Sequence, residues 1–236
     1  RFSKKPASNG ECQVAQEGIT RALAESPRAL GHLANGVVLN LQLGNLAESS
    51  KYFNQLLEVA HNDLTGSVLE HVFPAATIPL FTRVTGSTER LDVAESAARM
   101  ALSSPTMTNS AMIGARAGLA LIAIQRSDTE SAIEQYSFLN SQRGIQLFPG
   151  LNADRLLGLL AQTMGNMDDS QAHFEDALAF CRKAGYHPEL AWSLYDYADL
   201  LLERDVNSDR EAARSLLGES LNLSTKLGMI PLTERV

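Results

Sequence analysis

The sequence predicts an all-α fold, a right-handed α-solenoid of about five to six helix pairs that pack one after another. Amphipathic segments with helical periodicity recur at a nearly fixed interval, and the alternation of apolar and polar residues that marks strands is absent. Of the 236 residues, 44% are hydrophobic, which is enough for a continuous core. We therefore expect about eleven helices and no strand.

The clearest helix pair lies within Leu151–Cys181. Small residues, Gly158 and Ala177, stand where two packed helices would touch, and Phe174 takes the large aromatic position between them. Gly165 marks the turn that separates the two helices. Residues of these types at these intervals are typical of the tetratricopeptide repeat, a unit of about 34 residues that forms two antiparallel helices.

The same pattern can be followed towards the N-terminus. Ile19 and Phe53 both fall at the aromatic position and are one repeat of about 34 residues apart. Residues 1–8 are interpreted as a disordered or linker start because they show no apolar periodicity. Three helices are predicted next, near Glu11–Glu25, Arg28–Leu43 and Leu46–His61.

Residues 9–236 are interpreted as one helical-repeat domain in which residues 63–105 are the less regular part. A helix is expected to run from a cap at Asp63 towards Val84. Pro74 and Pro79 lie inside it, and each removes an amide donor, so we expect a kink or a break.

The pattern becomes regular again further along the chain. Ala94, Ala98 and Ala101 form a stripe of small residues that suits close helix packing. Met107–Gln125 is apolar on most sides and is predicted to be a buried inner helix. Tyr136 and Phe174 then repeat the aromatic position at intervals of about 38 residues, which implies longer helices or turns.

Capping signals mark the last helices. Two residue pairs have the spacing of a capping box, namely Ser127 with Glu130 and Ser208 with Glu211. Gly228 and Pro231 are expected to end the final helix. Leu217 is the next residue at the aromatic position, and the interval from Phe174 to Leu217 is wider than the preceding one. This difference places an insertion of about five residues in a loop near Arg204–Ser208.

The C-terminal part, roughly Leu147–Val236, resembles a more specific group, the C-terminal tetratricopeptide region of large bacterial signalling proteins. The stretches that carry this resemblance are DRLLGLLAQTMGNMDDSQAHFEDALAFC and DREAARSLLGESLNLSTKLGMIPLTERV. The resemblance implies a cytoplasmic regulator in which an NTPase module of the AAA or signal-transduction type is joined to a class III adenylate or guanylate cyclase or a LuxR-type DNA-binding domain. The chain begins with Arg, and we expect it to be a fragment of such a protein.

Charge and composition exclude several kinds of partner. A net charge of −7 and a pI near 5.3 provide no basic surface for direct contact with nucleic acid. No apolar run approaches the roughly 20 residues that a membrane span needs, and the N-terminal residues RFSKKPASNGE lack a hydrophobic signal core, so we expect a cytoplasmic location. Cys12 and Cys181 are interpreted as buried free thiols.

Sequence motifs for catalysis are missing. The chain has no Gly-Lys dipeptide for a phosphate loop, no HExxH among its five histidines and no GxSxG. The acidic pair Asp168-Asp169 suits the start of a helix, where the helix dipole favours negative charge. We therefore predict that the chain is not an enzyme and needs no cofactor or metal.

Binding through the concave face is the favoured function. In tetratricopeptide arrays the first helix of each pair lines this groove, and its inward positions give the candidate residues Asn152, Arg155, Gln162, Glu189, Trp192, Asp196 and Asp199. Arg and Trp are frequent anchors at binding sites. The alternative is that Trp192 packs between helices while Asp196 and Asp199 are solvated or pair with Arg155.

Earlier inner helices contribute an apolar wall that can accept an amphipathic partner helix or pack against another domain. Its residues are Ala34, Val38, Leu41, Ala117, Leu121 and Ile124. The expected partner is a protein segment or a neighbouring domain of the same polypeptide, and a homo-oligomer is compatible with the sequence. A small-molecule sensor with a ligand in the groove is the alternative function.

Overall fold

The computed structural model describes residues 9–26, 29–62, 67–88, 90–148, 150–204, 206 and 209–236. Within these residues the chain forms twelve α-helices, one short 3-10 helix at Asn140–Gln142 and one β-hairpin. The helices are α1 (Asn9–Glu25), α2 (Leu30–Gln42), α3 (Leu46–Asn62), α4 (Val68–Thr85), α5 (Leu91–Leu102), α6 (Asn109–Arg126), α7 (Thr129–Leu139), α8 (Ala153–Thr163), α9 (Met167–Ala184), α10 (His187–Arg204), α11 (Asp209–Leu227) and α12 (Ile230–Thr233). None of these helices combines the length and the apolar character that crossing a bilayer requires.

The helices form two layers. The first helices of successive pairs, α2, α4, α6, α8 and α10, contact one another in series and form the inner layer. The second helices, α3, α5, α7, α9 and α11, pack against them from outside, and α1 packs on α2. Five pairs are thus described, with α1 before and α12 after them. The predicted all-α solenoid of helix pairs is confirmed.

Helices of one pair meet where the sequence has small residues. A Cβ atom on Gly158 of α8 would lie 3.0 Å from the Phe174 ring of α9, so the glycine makes room for the aromatic side chain. In the first pair, Gly36 of α2 receives the ring of Tyr52 of α3 in the same way, at 2.8 Å. The small and aromatic residues of the repeat pattern therefore contact each other across the two helices of a pair.

Three buried serines link outer helices to inner helices. The hydroxyl groups of Ser49, Ser170 and Ser220 donate to the carbonyl oxygens of Val37, Gly158 and Ala191, at 2.9, 2.8 and 2.9 Å. All three serines are fully buried, so each hydroxyl needs a partner within the protein. Small polar residues at the contact between two helices thus also carry a hydrogen bond, at the same spacing for Ser49 and Ser170 and at a different one for Ser220.

Helix α4 runs without a break through Pro74 and Pro79, so the expected helix is confirmed and, of the expected kink or break, a break does not occur. Pro79 has no amide to bond the carbonyl group of Ala75, four residues earlier. That carbonyl faces α6 at Gly118, where an added Cβ atom would lie only 2.1 Å from the Ala75 oxygen. Close packing of α6 on this side keeps the proline-containing helix intact.

The prediction of no strand is wrong. Gln146–Phe148 (β1) and Leu151–Asn152 (β2) form a short antiparallel hairpin directly before α8. Gly150 has a φ of +80°, a value that favours glycine, and lets the chain reverse. Leu151 and Asn152, predicted to begin the inner helix, instead lie in β2, and strands of two or three residues are too short to show periodicity.

Some predicted caps also differ. Ser127 adopts a left-handed conformation with a φ of 52° and ends α6. Asp128 caps α7 instead, because its carboxylate accepts from the Ser131 amide at 3.1 Å. The predicted caps at Asp63 and Ser208, the linker at residues 1–8 and most of the predicted insertion near Arg204–Ser208 lie outside the described residues.

Distant parts of the chain meet at the C-terminus. A Cβ atom on Gly44, in the turn between α2 and α3, would lie 2.4 Å from the carbonyl oxygen of Gly228. Helix α11 ends just before Gly228, as expected, and the chain then forms the short helix α12, which contains Pro231. Helix α12 contacts α4, and the inner layer is therefore partly covered by the C-terminal segment of the same chain.

Candidate partner-binding surface

The structure brings five of the seven predicted groove residues together, but they are buried. Asn152, Arg155, Glu189, Trp192 and Asp196 are between 0% and 8% exposed. Gln162 is half-buried and Asp199 is exposed, and both lie closer to the C-terminal ends of α8 and α10. The five buried residues form a cluster inside the protein, and the other two lie at its edge.

Two arginines and two carboxylates form the centre of this cluster. The Arg155 Nε donates to Asp196 Oδ2 at 2.7 Å, and its Nη1 donates to Glu189 Oε2 at 3.2 Å. Arg83 of α4 donates from Nη2 to the other oxygen of Asp196 at 2.8 Å. With two positive and two negative charges, the cluster is electrically balanced and joins α4, α8 and α10.

The ionisation of the cluster follows from this pairing. Desolvation by burial opposes a charge on Asp196, but Arg83 and Arg155 outweigh it and hold the pKa of that carboxyl below its usual range. The pKa of Arg155 is likewise raised, because Asp196 and Glu189 overcome the opposing effect of desolvation. All the charges of this buried cluster are therefore compensated within the protein.

Hydrogen bonds of Asn152 and Glu189 connect the start of α8 to α10. The Asn152 side chain caps α8 by accepting from the amides of Asp154 and Arg155, at 2.8 and 3.2 Å. The Asn152 amide in turn donates to Glu189 Oε1 at 2.7 Å. These bonds fix the position of Arg155 at the first turn of the helix.

Trp192 lies between two guanidinium groups. The Arg155 guanidinium carbon is 5.5 Å from the centre of the indole ring, and that of Arg235 is 5.6 Å from it. Both distances are within the range of cation–π contacts. Met229 and Leu232 from the C-terminal segment complete the apolar surroundings of Trp192. The face of the tryptophan that would line an open groove is therefore covered by the chain itself.

The exposed edge of the cluster is acidic. Gln162 donates to Glu203 at 2.6 Å across α8 and α10. Partial desolvation by its surroundings and the nearby Asp196 carboxylate raise the pKa of Asp199. We call Gln162, Asp199 and Glu203 the acidic edge. Gln162 and Asp199 are the predicted groove residues that keep access to solvent, and Glu203 next to them was not predicted.

The apolar wall is also occupied by the protein itself. Ala34 and Leu41 belong to a core cluster with residues of α3, α4 and α5, and Val38 packs with Leu121 and Ala117 in the next cluster. The space left between this wall, Arg83, Arg155 and Trp192 amounts to a cavity of only about 20 Å³. The inner face at this level has no room for a partner.

Arg83 and Arg235 were not identified from the sequence. Arg83 pairs with Asp196 and Arg235 lies against Trp192, yet both arginines lie far from Trp192 along the chain and follow no repeat spacing. The sequence around Arg83 did indicate a buried ion pair. Arg83 follows a long apolar stretch of α4, and an arginine next to buried residues needs an acidic partner.

A second polar cluster was also missed. Tyr136 Oη and His173 Nε2 are 2.8 Å apart, and His173 Nδ1 is 3.9 Å from Asp154 Oδ1. The Gly144 amide donates to the other Asp154 oxygen at 2.7 Å. Burial opposes a charge on Asp154, but His173 and this amide outweigh it and lower the pKa of the carboxyl. The cluster holds the start of the hairpin against α8 and α9.

Reactive groups are scarce in the described part of the chain. Cys181 is a free, fully buried thiol, as predicted, and burial raises its pKa to about 12. The side chain of Cys12 lies outside the description. Across the residues that the structure describes, no three His, Cys, Asp or Glu side chains converge as metal ligands would.

One comparison with known proteins bears on this region. Residues 151–226 match the family model described as tetratricopeptide repeat. The matched segment comprises the second hairpin strand, the α8/α9 pair, α10 and nearly all of α11, and it contains all seven predicted groove residues. A comparison with curated proteins finds no match. Residues 151–226 therefore form a tetratricopeptide region within a longer helical solenoid.

Proposed function

We propose that the chain is a non-catalytic, cytoplasmic interaction module of a bacterial signal-transduction or transcription regulator. The tetratricopeptide region at residues 151–226 carries this proposal, because such regions mediate contacts between proteins. The proposed partner is a protein segment or a neighbouring domain of the same polypeptide. Its binding would bias the activity of an attached NTPase or output domain.

The acidic edge is the proposed place of first contact. Asp199 and Glu203 are exposed, and they border the buried cluster that contains Trp192. The chain has a net charge of −7, so a segment with basic residues is favoured by charge complementarity. Asn152, Arg155, Glu189, Trp192 and Asp196 are proposed to shape the surface behind this edge and to hold α8 and α10 in place.

Charge reversal at the edge tests this proposal. The double variant Asp199→Lys and Glu203→Lys should lose association with the rest of the regulator, measured as capture of the separately expressed remainder by the immobilised chain. Glu58→Lys is the matched control, because Glu58 is an exposed acidic residue in the middle of α3 on the outer layer. Equal capture by the wild type and both variants would contradict a role for the acidic edge.

A small-molecule sensor remains a second proposal because of one cavity. A space of about 480 Å³ lies beside the hairpin, lined by Leu147, Phe148, Tyr186 and Pro188 with Gln42 and Glu189 at its polar side. This size and this mixture of apolar walls and few polar groups suit a small ligand.

A thermal-shift screen tests the second proposal. A compound that binds this cavity should raise the melting temperature of the wild type by mass action. The same compound should have much less effect on Phe148→Ala. Ile133→Ala, an exposed apolar residue on α7, is the control and should respond like the wild type.

A further inference from the structure

The C-terminal segment, residues 229–236, lies over Trp192 and presents a one-sided apolar face to it. Met229 and Leu232 are 1% and 0% exposed and share a cluster with Ala191 and Trp192, whereas Ile230 between them is 51% exposed. We call this segment the strap. Met229 and Leu232 are three positions apart, as in a short amphipathic helix that lies in a groove, and Pro231 beside Leu232 is buried as well.

An arginine completes the contact. The Arg235 Nη2 donates to the carbonyl oxygens of Arg83 and Val84, at 3.0 and 2.8 Å. Both carbonyls belong to the last turn of α4, where they have no donor within the helix and where the helix dipole favours a cation. The end of α4 and the face of Trp192 together form a site that recognises an arginine beside two apolar residues.

The strap is connected through a residue that allows movement. Gly228 has a φ of +70°, and no other atom lies within 4 Å of the position that a Cβ atom would take. Helix α12 has four residues, too few to be a stable helix on its own. The strap therefore owes its conformation to the site that it covers.

We propose that the strap is an internal occupant of a docking site between α4 and α10, and that an amphipathic partner helix displaces it. The partner would carry two apolar residues three positions apart and an arginine three positions further on, as Met229, Leu232 and Arg235 do. This inference rests on the proposed function and specifies both the partner helix and its regulation. A partner must compete with the strap for this site, so only a partner that binds the site more strongly than the strap does can displace it.

Trp192 is the single tryptophan of the chain, so the tryptophan fluorescence of the protein reports whether the strap covers this site. Leu232→Ser should release the strap, move the tryptophan emission to longer wavelength and make it more accessible to a soluble quencher. Ile230→Ser is the matched control on the same helix and should keep the emission of the wild type. Circular dichroism of each variant separates release of the strap from unfolding.

A synthetic peptide of residues 227–236 is the binding probe. It should bind Leu232→Ser about tenfold or more tightly than it binds the wild type or Ile230→Ser, because a site that is mostly occupied by its strap has a reduced apparent affinity. A peptide that carries Leu232→Asp should not bind. Equal affinity for all three proteins, or binding to none of them, would overturn the proposal.

Hydrogen exchange of the wild type tests the same idea without any substitution. Amides of residues 232–236 should exchange well before those of Leu190–Leu201 in α10, because the strap opens locally. Exchange of both segments at one common slow rate would mean that the strap leaves only on global unfolding, which overturns displacement. A concentration-dependent dimer with a shielded Trp192 would assign the site to a second copy and would also overturn it.

The two proposals can fail separately. The peptide and exchange measurements involve no cellular partner, so they test the strap alone. Loss of capture by the Asp199→Lys and Glu203→Lys variant, with a strap that never opens, would retain the interaction module and remove its regulation.

Discussion

Replacing Arg155 with alanine should destabilise the protein strongly. Arg155 is 3% exposed and bonds two carboxylates that are themselves 3% and 2% exposed, those of Glu189 and Asp196. Without it, Asp196 keeps the guanidinium of Arg83 as its cationic partner, whereas Glu189 keeps only the hydrogen bond from the Asn152 amide. Removing one partner of a buried ion pair costs about 3–5 kcal/mol. For a protein of this size each kcal/mol lowers the melting temperature by about 2–4 °C, so a decrease of about 6–20 °C is expected.

Urea unfolding followed by circular dichroism measures this effect at pH 7. Arg182→Ala is the matched control, because Arg182 makes an equally direct contact with Glu219, at 2.8 Å, but both side chains are more than 40% exposed. Exposed pairs contribute about 0–1 kcal/mol. If Arg155→Ala were as stable as Arg182→Ala, the interpretation of the cluster as a buried, charge-balanced support would be refuted.

Acidification provides a second check on the same variant. The pKa of Asp196 in the folded protein is lowered, so its ionised form stabilises the fold above about pH 4, and this contribution is lost as the pH falls through the folded pKa. Without Arg155 the Asp196 carboxylate takes up a proton more readily in the folded state, because it has lost one of the two cations that lower its pKa. The difference in free energy of unfolding between the wild type and Arg155→Ala should therefore shrink as the pH is lowered from 7 towards 4.

Three further substitutions or reactions test other parts of the fold. Gly118→Ala should destabilise the protein by about 1–3 kcal/mol or more, because its Cβ atom would lie 2.1 Å from the Ala75 carbonyl oxygen. Gly218→Ala, in the open part of α11, should instead stabilise the protein by about 0.5–1 kcal/mol, and urea unfolding of both variants measures the difference. Asn152→Ala should lose about 0.5–2 kcal/mol through the missing cap of α8, and an unchanged unfolding midpoint would contradict that role. Cys181, with a pKa of about 12, should resist iodoacetamide at pH 8 until the protein unfolds, as mass spectrometry of the labelled peptide can show.

The helix pairs could be predicted from the sequence because their contacts are local and repeated. Gly158 and Phe174 lie in consecutive helices, and the space that the glycine leaves is filled by the aromatic ring. The same relation holds for Gly36 and Tyr52, so a spacing in the sequence corresponds to a contact in the fold. This is why the number of pairs and most helix bounds could be predicted to within a few residues.

The environment of the groove residues could not be predicted in the same way. Repeat spacing indicates which side of an inner helix faces the concave surface, and it places Arg155, Trp192 and Asp196 together as found. It does not indicate what covers that surface. Arg83 and Arg235 come from opposite parts of the chain and reach Trp192 only because the superhelix brings α4 and the strap next to α10. The short hairpin was missed because its strands are too brief to show a pattern.

The contact between Gly44 and Gly228 changes how this repeat protein should respond to stress. In an open array each repeat touches only its neighbours, and the terminal repeats can fray independently of the others. Here the turn of the first helix pair rests on the segment that follows the last one, so loosening at either end removes contacts at both. Apart from local opening of residues 229–236, heat or force should therefore disrupt the helix pairs as a single cooperative unit rather than one pair at a time from the ends.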